Sequence, residues 1–295
     1  MRVFVTGGTG FVGKAVIQEL IAKKHTVLGL ARSEKGAKQL TNLGADVHQG
    51  GLGDLDSLRK GAAASEGVIH CAFRNTTKDF TVSNFEAACH EERHAIEVIG
   101  NALVGSNKPL VITSGKMLLP PGRLGTEDDR EPNTLSPIAM AREKSEVIAM
   151  SFASKGVRVS VLRIPPVNYG EGDEGLVPMV IDSARKNMKS IYSTTHVRDT
   201  AKAYCLALER APAGSTLHGV AEQGTQLKHI AEVIGKRLNL PVESRGWDGI
   251  SKHYGWLANI VALDNYISSE KTQALLNWKP EQSPLLNYIG SDTLT

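Results

Sequence analysis

Cysteine is scarce in this chain, with three among 295 residues, and Cys71, Cys89 and Cys205 show no C-x-x-C pair or other metal-ligand spacing. That scarcity excludes a disulfide framework and a zinc knuckle. It marks the three as buried or half-buried thiols of a reducing compartment, with no metal expected. Charge of one sign is missing too: 34 Lys+Arg against 31 Asp+Glu leaves +3, and the basic residues are scattered, so nucleic acid is not an expected partner. No apolar run reaches the roughly 18 residues of a membrane helix. Met1 leads through Val3, Phe4 and Val5 straight into a glycine-rich turn, without the charged, apolar and cleavage regions of a secretory leader. A cytoplasmic protein with no membrane partner is expected. What is present is ordinary for a globular chain, 41% hydrophobic and 22% charged, enough for a large buried core.

Short β-branched runs alternate with helical patterns. Val3 to Thr6, Thr26 to Leu30, Ala45 to His48, Gly67 to Ala72, Pro109 to Ser114 and Val157 to Ile164 read as strands. Between them Lys14 to Lys24 and Phe85 to Val104 carry apolar residues at helical spacing. Strands separated by helices imply right-handed crossovers and a doubly wound, parallel Rossmann-type α/β sheet. The rhythm stops after Ile164-Pro165-Pro166, at the glycine-rich stretch from Tyr169 to Gly175. Helices follow at Arg198 to Arg210 and Gln226 to Leu238, and Ser215 to Ala221 reads as a late strand. The expected division is a sheet domain over 1–165 and a smaller C-terminal domain over 166–295, with 196–221 returning to the sheet.

The strongest motif is Thr6-Gly7-Gly8-Thr9-Gly10-Phe11-Val12-Gly13, directly after the first strand and opening the first helix. Gly7 permits the sharp turn, Gly10 lets backbone amides approach a pyrophosphate, and Gly13 lets the helix pack close to the sheet. With Thr9, Phe11 and Val12 these residues form the expected phosphate cradle, aided by the positive end of the helix. The second strand runs into Ala31-Arg32-Ser33, where an NAD enzyme carries a carboxylate for the ribose 2′-OH. A guanidinium at Arg32, with Ser33 as a second donor, fits a 2′-phosphate instead, so NADP(H) is the expected cofactor; otherwise Arg32 is a solvated loop charge. Asp54 and Leu55, after the third strand, are candidates for the adenine, with a helix N-cap as the alternative for Asp54. Cys71 and Ala72 are expected to line the cofactor, and Pro165 and Val167 are grouped with them.

Thr6 to Gly13, Gly53-Asp54-Leu55, Val68 to Ala72, Leu162 to Pro166 and His196-Val197-Arg198-Asp199-Thr200-Ala201 together resemble the extended short-chain dehydrogenase/reductase superfamily across nearly the whole chain. The resemblance implies a C-terminal substrate domain over a nicotinamide at the C-terminal edge of the sheet. It also implies a Tyr-x-x-x-Lys helix and a Ser or Thr after the fifth strand, the phenol donating a proton and the lysine lowering its pKa. No Tyr-x-x-x-Lys occurs here. One frame puts Ile138 and Arg142 at the pair, another Met140 and Lys144, and Ser114 stands one residue before the expected hydroxyl, at Gly115. The sequence is therefore similar to atypical members that keep the cofactor loop and lack the usual catalytic set. Candidate catalytic residues are Ser114, Arg142, Lys144 and Tyr169, with Lys116, Tyr192 and His196 behind them; Tyr169 reads equally as packing and His196 as a helix start. Ser190 to His196 lacks the longer Gly-Asp-Gly loop of similar proteins.

The expected function is an NADPH-dependent reductase of a carbonyl or related group in a small molecule, acting as monomer or homodimer. The alternatives are an NADP(H)-binding sensor without turnover and a redox-neutral epimerase or dehydratase.

Overall fold

The computed structural model describes residues 1–74, 81–115, 123–129, 137–173, 191–239, 242 and 265–291. β1 (Arg2–Thr6), β2 (Thr26–Ala31), β3 (Asp46–Gln49), β4 (Gly67–His70), β5 (Pro109–Gly115), β6 (Arg158–Ile164) and β9 (Ser215–His218) form a seven-stranded sheet in the order β3-β2-β1-β4-β5-β6-β9. Every pairing in it is parallel. Six of its strands match the runs of β-branched residues read from the sequence, and the late strand joins β6 at the edge.

α1 (Phe11–Ala22) and α2 (Glu34–Asn42) follow β1 and β2, and α3 (Leu55–Ala63) follows β3. α4 (Val82–Leu103) and α5 (Pro137–Ser151) cover one face of the sheet, and α6 (Val197–Arg210) lies with α1 on the other. Two cores result. On the α1/α6 side Val3, Val5, Ile17, Leu20, Ile69 and Tyr204 pack together, and on the α4/α5 side Phe4, Leu58, Val68, Ile99, Leu110 and Phe152 do. Alternation along each strand sends neighbours to opposite cores, as a sheet buried on both faces requires.

The helix over 34–42 was not anticipated, because its composition is polar. Ser33 starts it: the side-chain oxygen accepts from the Gly36 amide at 3.2 Å, and only Gly36 and Leu40 are buried.

The smaller lobe is built on a second sheet in the order β10-β8-β7, from β7 (Val167–Tyr169), β8 (Ile191–His196) and β10 (Glu222–Gln226). β7 and β8 pair in parallel and β8 and β10 antiparallel. α7 (Leu227–Leu238), α8 (Glu270–Leu276) and α9 (Leu285–Gly290) complete it. The segment ending at His196 is a strand. Its polar side chains are buried because each hydroxyl finds an acceptor: Ser193 on the Asn265 carbonyl at 2.7 Å, Thr194 on Glu222 at 2.7 Å, Thr195 on the Gly219 carbonyl at 2.7 Å.

Candidate active site

The strand order reverses at β1, whose two neighbours leave toward β3 on one side and β9 on the other, and in open α/β sheets ligands bind at the C-terminal strand ends beside such a switch point, here β1 and β4. The glycine turn follows β1 there. Gly7 has φ +72°, and a Cβ there would stand 2.7 Å from the Ala72 amide nitrogen, so no other residue fits. A Cβ on Gly13 would collide with the Gly7 carbonyl oxygen. Gly10 meets nothing but that same oxygen, at 3.3 Å, and is exposed, which leaves open space above it. Gly10 caps α1 without a side chain, and the amides of Phe11, Val12 and Gly13 have no hydrogen-bond partner among the described residues. Unsatisfied amides, a helix dipole and an open approach make a cradle suited to a dinucleotide pyrophosphate. Thr9, Phe11 and Val12 are half-buried at its rim.

Arg32 and Ser33 lie exposed past the end of β2, and Arg32 makes no ion pair or hydrogen bond among the described residues. Asp54 is the N-cap of α3, its Oδ1 accepting from the Ser57 amide at 3.0 Å, and Leu55 beside it is 37% exposed. Beyond β4 the main chain is fixed by Thr6: Cys71 N–H donates to the Thr6 carbonyl at 3.2 Å and Ala72 N–H to Thr6 Oγ1 at 3.3 Å. Burial pushes the Cys71 thiol up to about 11, so it is neutral at pH 7. Pro165 and Val167 are buried, and the Pro165 carbonyl accepts from Asn168 Nδ2 at 2.8 Å.

Under α4 and α5 the same edge of the sheet carries a buried polar cluster. Arg142 Nη1 donates to Glu92 Oε2 at 2.6 Å and Nη2 to the Thr113 carbonyl at 3.1 Å, with the Phe73 ring 4.7 Å from the guanidinium carbon. His70 and Ser114 share this face, since His70 pairs in register with Ile112 and side chains alternate. His70 Nδ1 lies 2.9 Å from Thr6 Oγ1, while His70 Nε2 and Ser114 Oγ are buried with no partner among the described residues. Burial lowers the His70 pKa to about 4, with Glu92 opposing and Arg142 adding to the shift, so the ring is neutral at pH 7. On the opposite face Thr113 donates to the His70 carbonyl at 2.8 Å and lies 2.6 Å from the Tyr204 hydroxyl.

Of the residues singled out for catalysis, Arg142 and Ser114 meet at this edge. Lys144 and Met140 are exposed, so the frame containing them faces away from the sheet. Tyr169 does not have the free hydroxyl a proton donor needs. It is 1% exposed, donates to the Ser283 carbonyl at 2.7 Å, and lies 3.2 Å from Glu222 Oε1; burial, reinforced by Glu222, raises its pKa. His196 is a helix start, its Nδ1 accepting from the Arg198 amide at 3.2 Å, and burial lowers its pKa. Tyr192 is buried in β8, and Lys116 lies outside the described residues. Glu92 was missed, because no local pattern marks the partner of a residue 50 positions away. The one available signal was a carboxylate on the otherwise apolar face of α4.

The family model described as "NAD dependent epimerase/dehydratase family" matches residues 3–218. An uncharacterized protein of Schizosaccharomyces pombe is 41% identical over 99% of both chains. A ketoreductase of Stigmatella aurantiaca, named for 4-hydroxy-2-methyl-3-oxo-4-farnesyl-3,4-dihydroquinoline-1-oxide, is 28% identical over 72% of this chain and 66% of its own. The crystal structure of UDP-glucose 4-epimerase with UDP-glucose from Thermotoga maritima superposes with TM-score 0.78, covering 98% of this chain and 96% of that one at 19% identity.

Proposed function

The chain belongs to the NAD dependent epimerase/dehydratase family, and we propose that within it the protein is an NADP(H)-dependent reductase of a carbonyl or related group in a small molecule. The observation that carries the cofactor assignment is Arg32: a solvent-facing guanidinium with no protein partner among the described residues, at the strand end where a 2′-OH-binding carboxylate is absent. A 2′-phosphate gives it the bidentate partner it lacks, and the Ser33 hydroxyl hydrogen remains free to donate while its oxygen caps α2.

When bound, the nicotinamide supplies hydride transfer. The chain's own residues hold and orient. Gly7, Thr9, Gly10, Phe11, Val12 and Gly13 bind the pyrophosphate, Asp54 and Leu55 border the adenine, and Cys71, Ala72, Pro165 and Val167 exclude water around the reacting end. Arg142, fixed by Glu92, sets positive charge beside the end of β5, where it stabilises negative charge developing on a substrate oxygen. Ser114 Oγ, buried and without a partner among the described residues, is positioned to hydrogen-bond there. The relative named as a ketoreductase supports reduction of a ketone over a redox-neutral reaction.

The test combines titration and turnover. NADPH should bind more tightly than NADH, and Arg32→Glu should reverse that order through loss of charge-assisted bonds worth roughly 1.5–3 kcal/mol, or about 10–150-fold. Wild-type preference for NADH, or a preference unmoved by the substitution, would refute the 2′-phosphate contact. Absorbance at the reduced nicotinamide band should fall with a ketone present. Binding without oxidation across a carbonyl panel means a sensor, and substrate conversion without net NADPH loss means an epimerase or dehydratase.

A further inference from the structure

Far from the glycine turn, three unlike ligand groups converge on one point. His25 stands just before β2, and Cys205 and Glu209 lie one turn apart on α6. Their ligand atoms all fall within 4.8 Å of one another. His25 Nε2 is 3.1 Å from Glu209 Oε1, and Cys205 Sγ is 3.7 Å from the same oxygen. Zinc bond lengths set tetrahedral ligand separations of about 3.4 Å for nitrogen to oxygen and about 3.6 Å for sulfur to oxygen. The two observed edges differ from these by only a few tenths of an ångström.

The groups are also held in place. The His25 amide donates to the Leu20 carbonyl at 3.0 Å, fixing the turn that presents the ring, and Cys205 is 1% exposed in the α1/α6 core. A cavity of about 320 Å³ lined by Glu19, Lys23, Lys202, Cys205 and Arg210 lies beside the cluster. The donor set itself is selective: a thiolate, an imidazole and a carboxylate suit a borderline ion and disfavour calcium or magnesium.

We propose that His25 Nε2, Cys205 Sγ and Glu209 bind Zn²⁺, with a water as fourth ligand, and that the ion clips the start of β2 to α6. Binding displaces the thiol proton to solvent. Coordination through Nε2 places the ring hydrogen on Nδ1, which faces the Met1 amine at 3.4 Å. The amine then accepts as the neutral form or turns outward from its exposed position. β2 spans six residues, so the site is roughly 20 Å from Arg32 at about 3.3 Å per residue. Its role is structural, and it stands or falls independently of the reductase reading. Spacing along the sequence could not reveal it, because 180 positions separate the histidine from the cysteine.

The experiment uses the full chain, stripped with chelator and titrated with Co²⁺ as a spectroscopic probe. One equivalent should produce a thiolate-to-cobalt charge-transfer band in the near ultraviolet, bleached by Zn²⁺. Cys205→Ser should lose the band, while a Cys71→Ser/Cys89→Ser double variant keeps it. Zn²⁺ affinity should fall in His25→Gln and Glu209→Gln by more than the roughly 10–100-fold that losing a mere orienting partner costs. In wild type, Zn²⁺ at about a hundredfold excess over Kd should raise Tm by on the order of a few degrees, and Glu209→Gln should not respond. An unchanged far-ultraviolet circular dichroism spectrum shows that each variant is folded. If Cys205→Ser fails to fold, the two half-buried positions His25 and Glu209 carry the test. Absence of the charge-transfer band, its survival in Cys205→Ser, or metal binding lost only on replacing the exposed α4 pair His90 and His94 would overturn the proposal.

Discussion

Arg142 on α5 donates to Glu92 on α4 at 2.6 Å while its second terminal nitrogen holds the Thr113 carbonyl of β5. One guanidinium thereby ties two helices to the sheet. Glu92 is 2% exposed, so removing its partner leaves a buried carboxylate uncompensated. Arg142→Ala should lower stability by about 3–5 kcal/mol, and Lys144→Ala, on the exposed side of the same helix, should change it by less than about 0.5 kcal/mol. Urea unfolding of both variants decides the matter; comparable small losses would mean that the buried pair contributes nothing.

His70 makes stability depend on pH in a definite direction. Its pKa is lowered to about 4 in the folded chain, against about 6.5 when unfolded, so the unfolded state takes up the proton first as the solution is acidified. The contribution is complete above about pH 6.5 and is lost as pH falls toward 4, amounting to about 3 kcal/mol over that window. Unfolding free energies measured at pH 7 and pH 5 for wild type and His70→Asn should show a steeper decline in wild type. Parallel declines would contradict the neutral, buried ring.

Gly13→Ala should abolish coenzyme binding at accessible concentrations, because the added methyl cannot coexist with the Gly7 carbonyl and the turn must open. Gly105→Ala is the useful control: φ there is +72° as at Gly7, yet a Cβ meets nothing within 4 Å. It should cost on the order of 1 kcal/mol of stability and leave NADPH binding intact. Calorimetric titration that found equal binding in both variants would remove the turn from the site.

Asp199 binds the C-terminal segment to α6. Its two carboxylate oxygens accept from the Glu281 and Gln282 amides, each at 3.0 Å, and its carbonyl accepts from Trp278 Nε1 at 3.1 Å. Hydrogen bonds to a charged acceptor contribute about 1.5–3 kcal/mol each, so Asp199→Ala should cost several kcal/mol and expose the chain after Trp278 to protease. A cleavage pattern identical to wild type would show that the segment is held by other contacts.

The seven-stranded sheet was legible because its strands are β-branched runs and its helices apolar-striped, and the glycine turn because its spacing is a backbone requirement. α2 escaped because only Gly36 and Leu40 reach the core, leaving little periodicity to detect. β8 escaped for a related reason: Ser193, Thr194 and Thr195 read as loop residues, and only acceptors from Asn265, Glu222 and Gly219 make a buried strand of them. In the candidate site, Arg142 was legible as a member of one of the two frames for the missing Tyr-x-x-x-Lys pair. The environments that separate it from Lys144, and that turn Tyr169 from donor to scaffold, depend on Glu92, Glu222 and Ser283, which are distant in sequence.

One oxygen of Glu222 gathers the Tyr169 hydroxyl, the Thr194 hydroxyl and the Leu285 amide, at 3.2, 2.7 and 2.9 Å. A nascent chain emerging from its N-terminus can lay down β1 to β6 before Leu285 exists, yet the smaller lobe lacks its joining bond until the last stretch has been made. The turn between β1 and α1 can therefore form before the smaller lobe closes, and C-terminal truncation before Leu285 should leave a molecule with its seven-stranded sheet built and its second lobe unjoined.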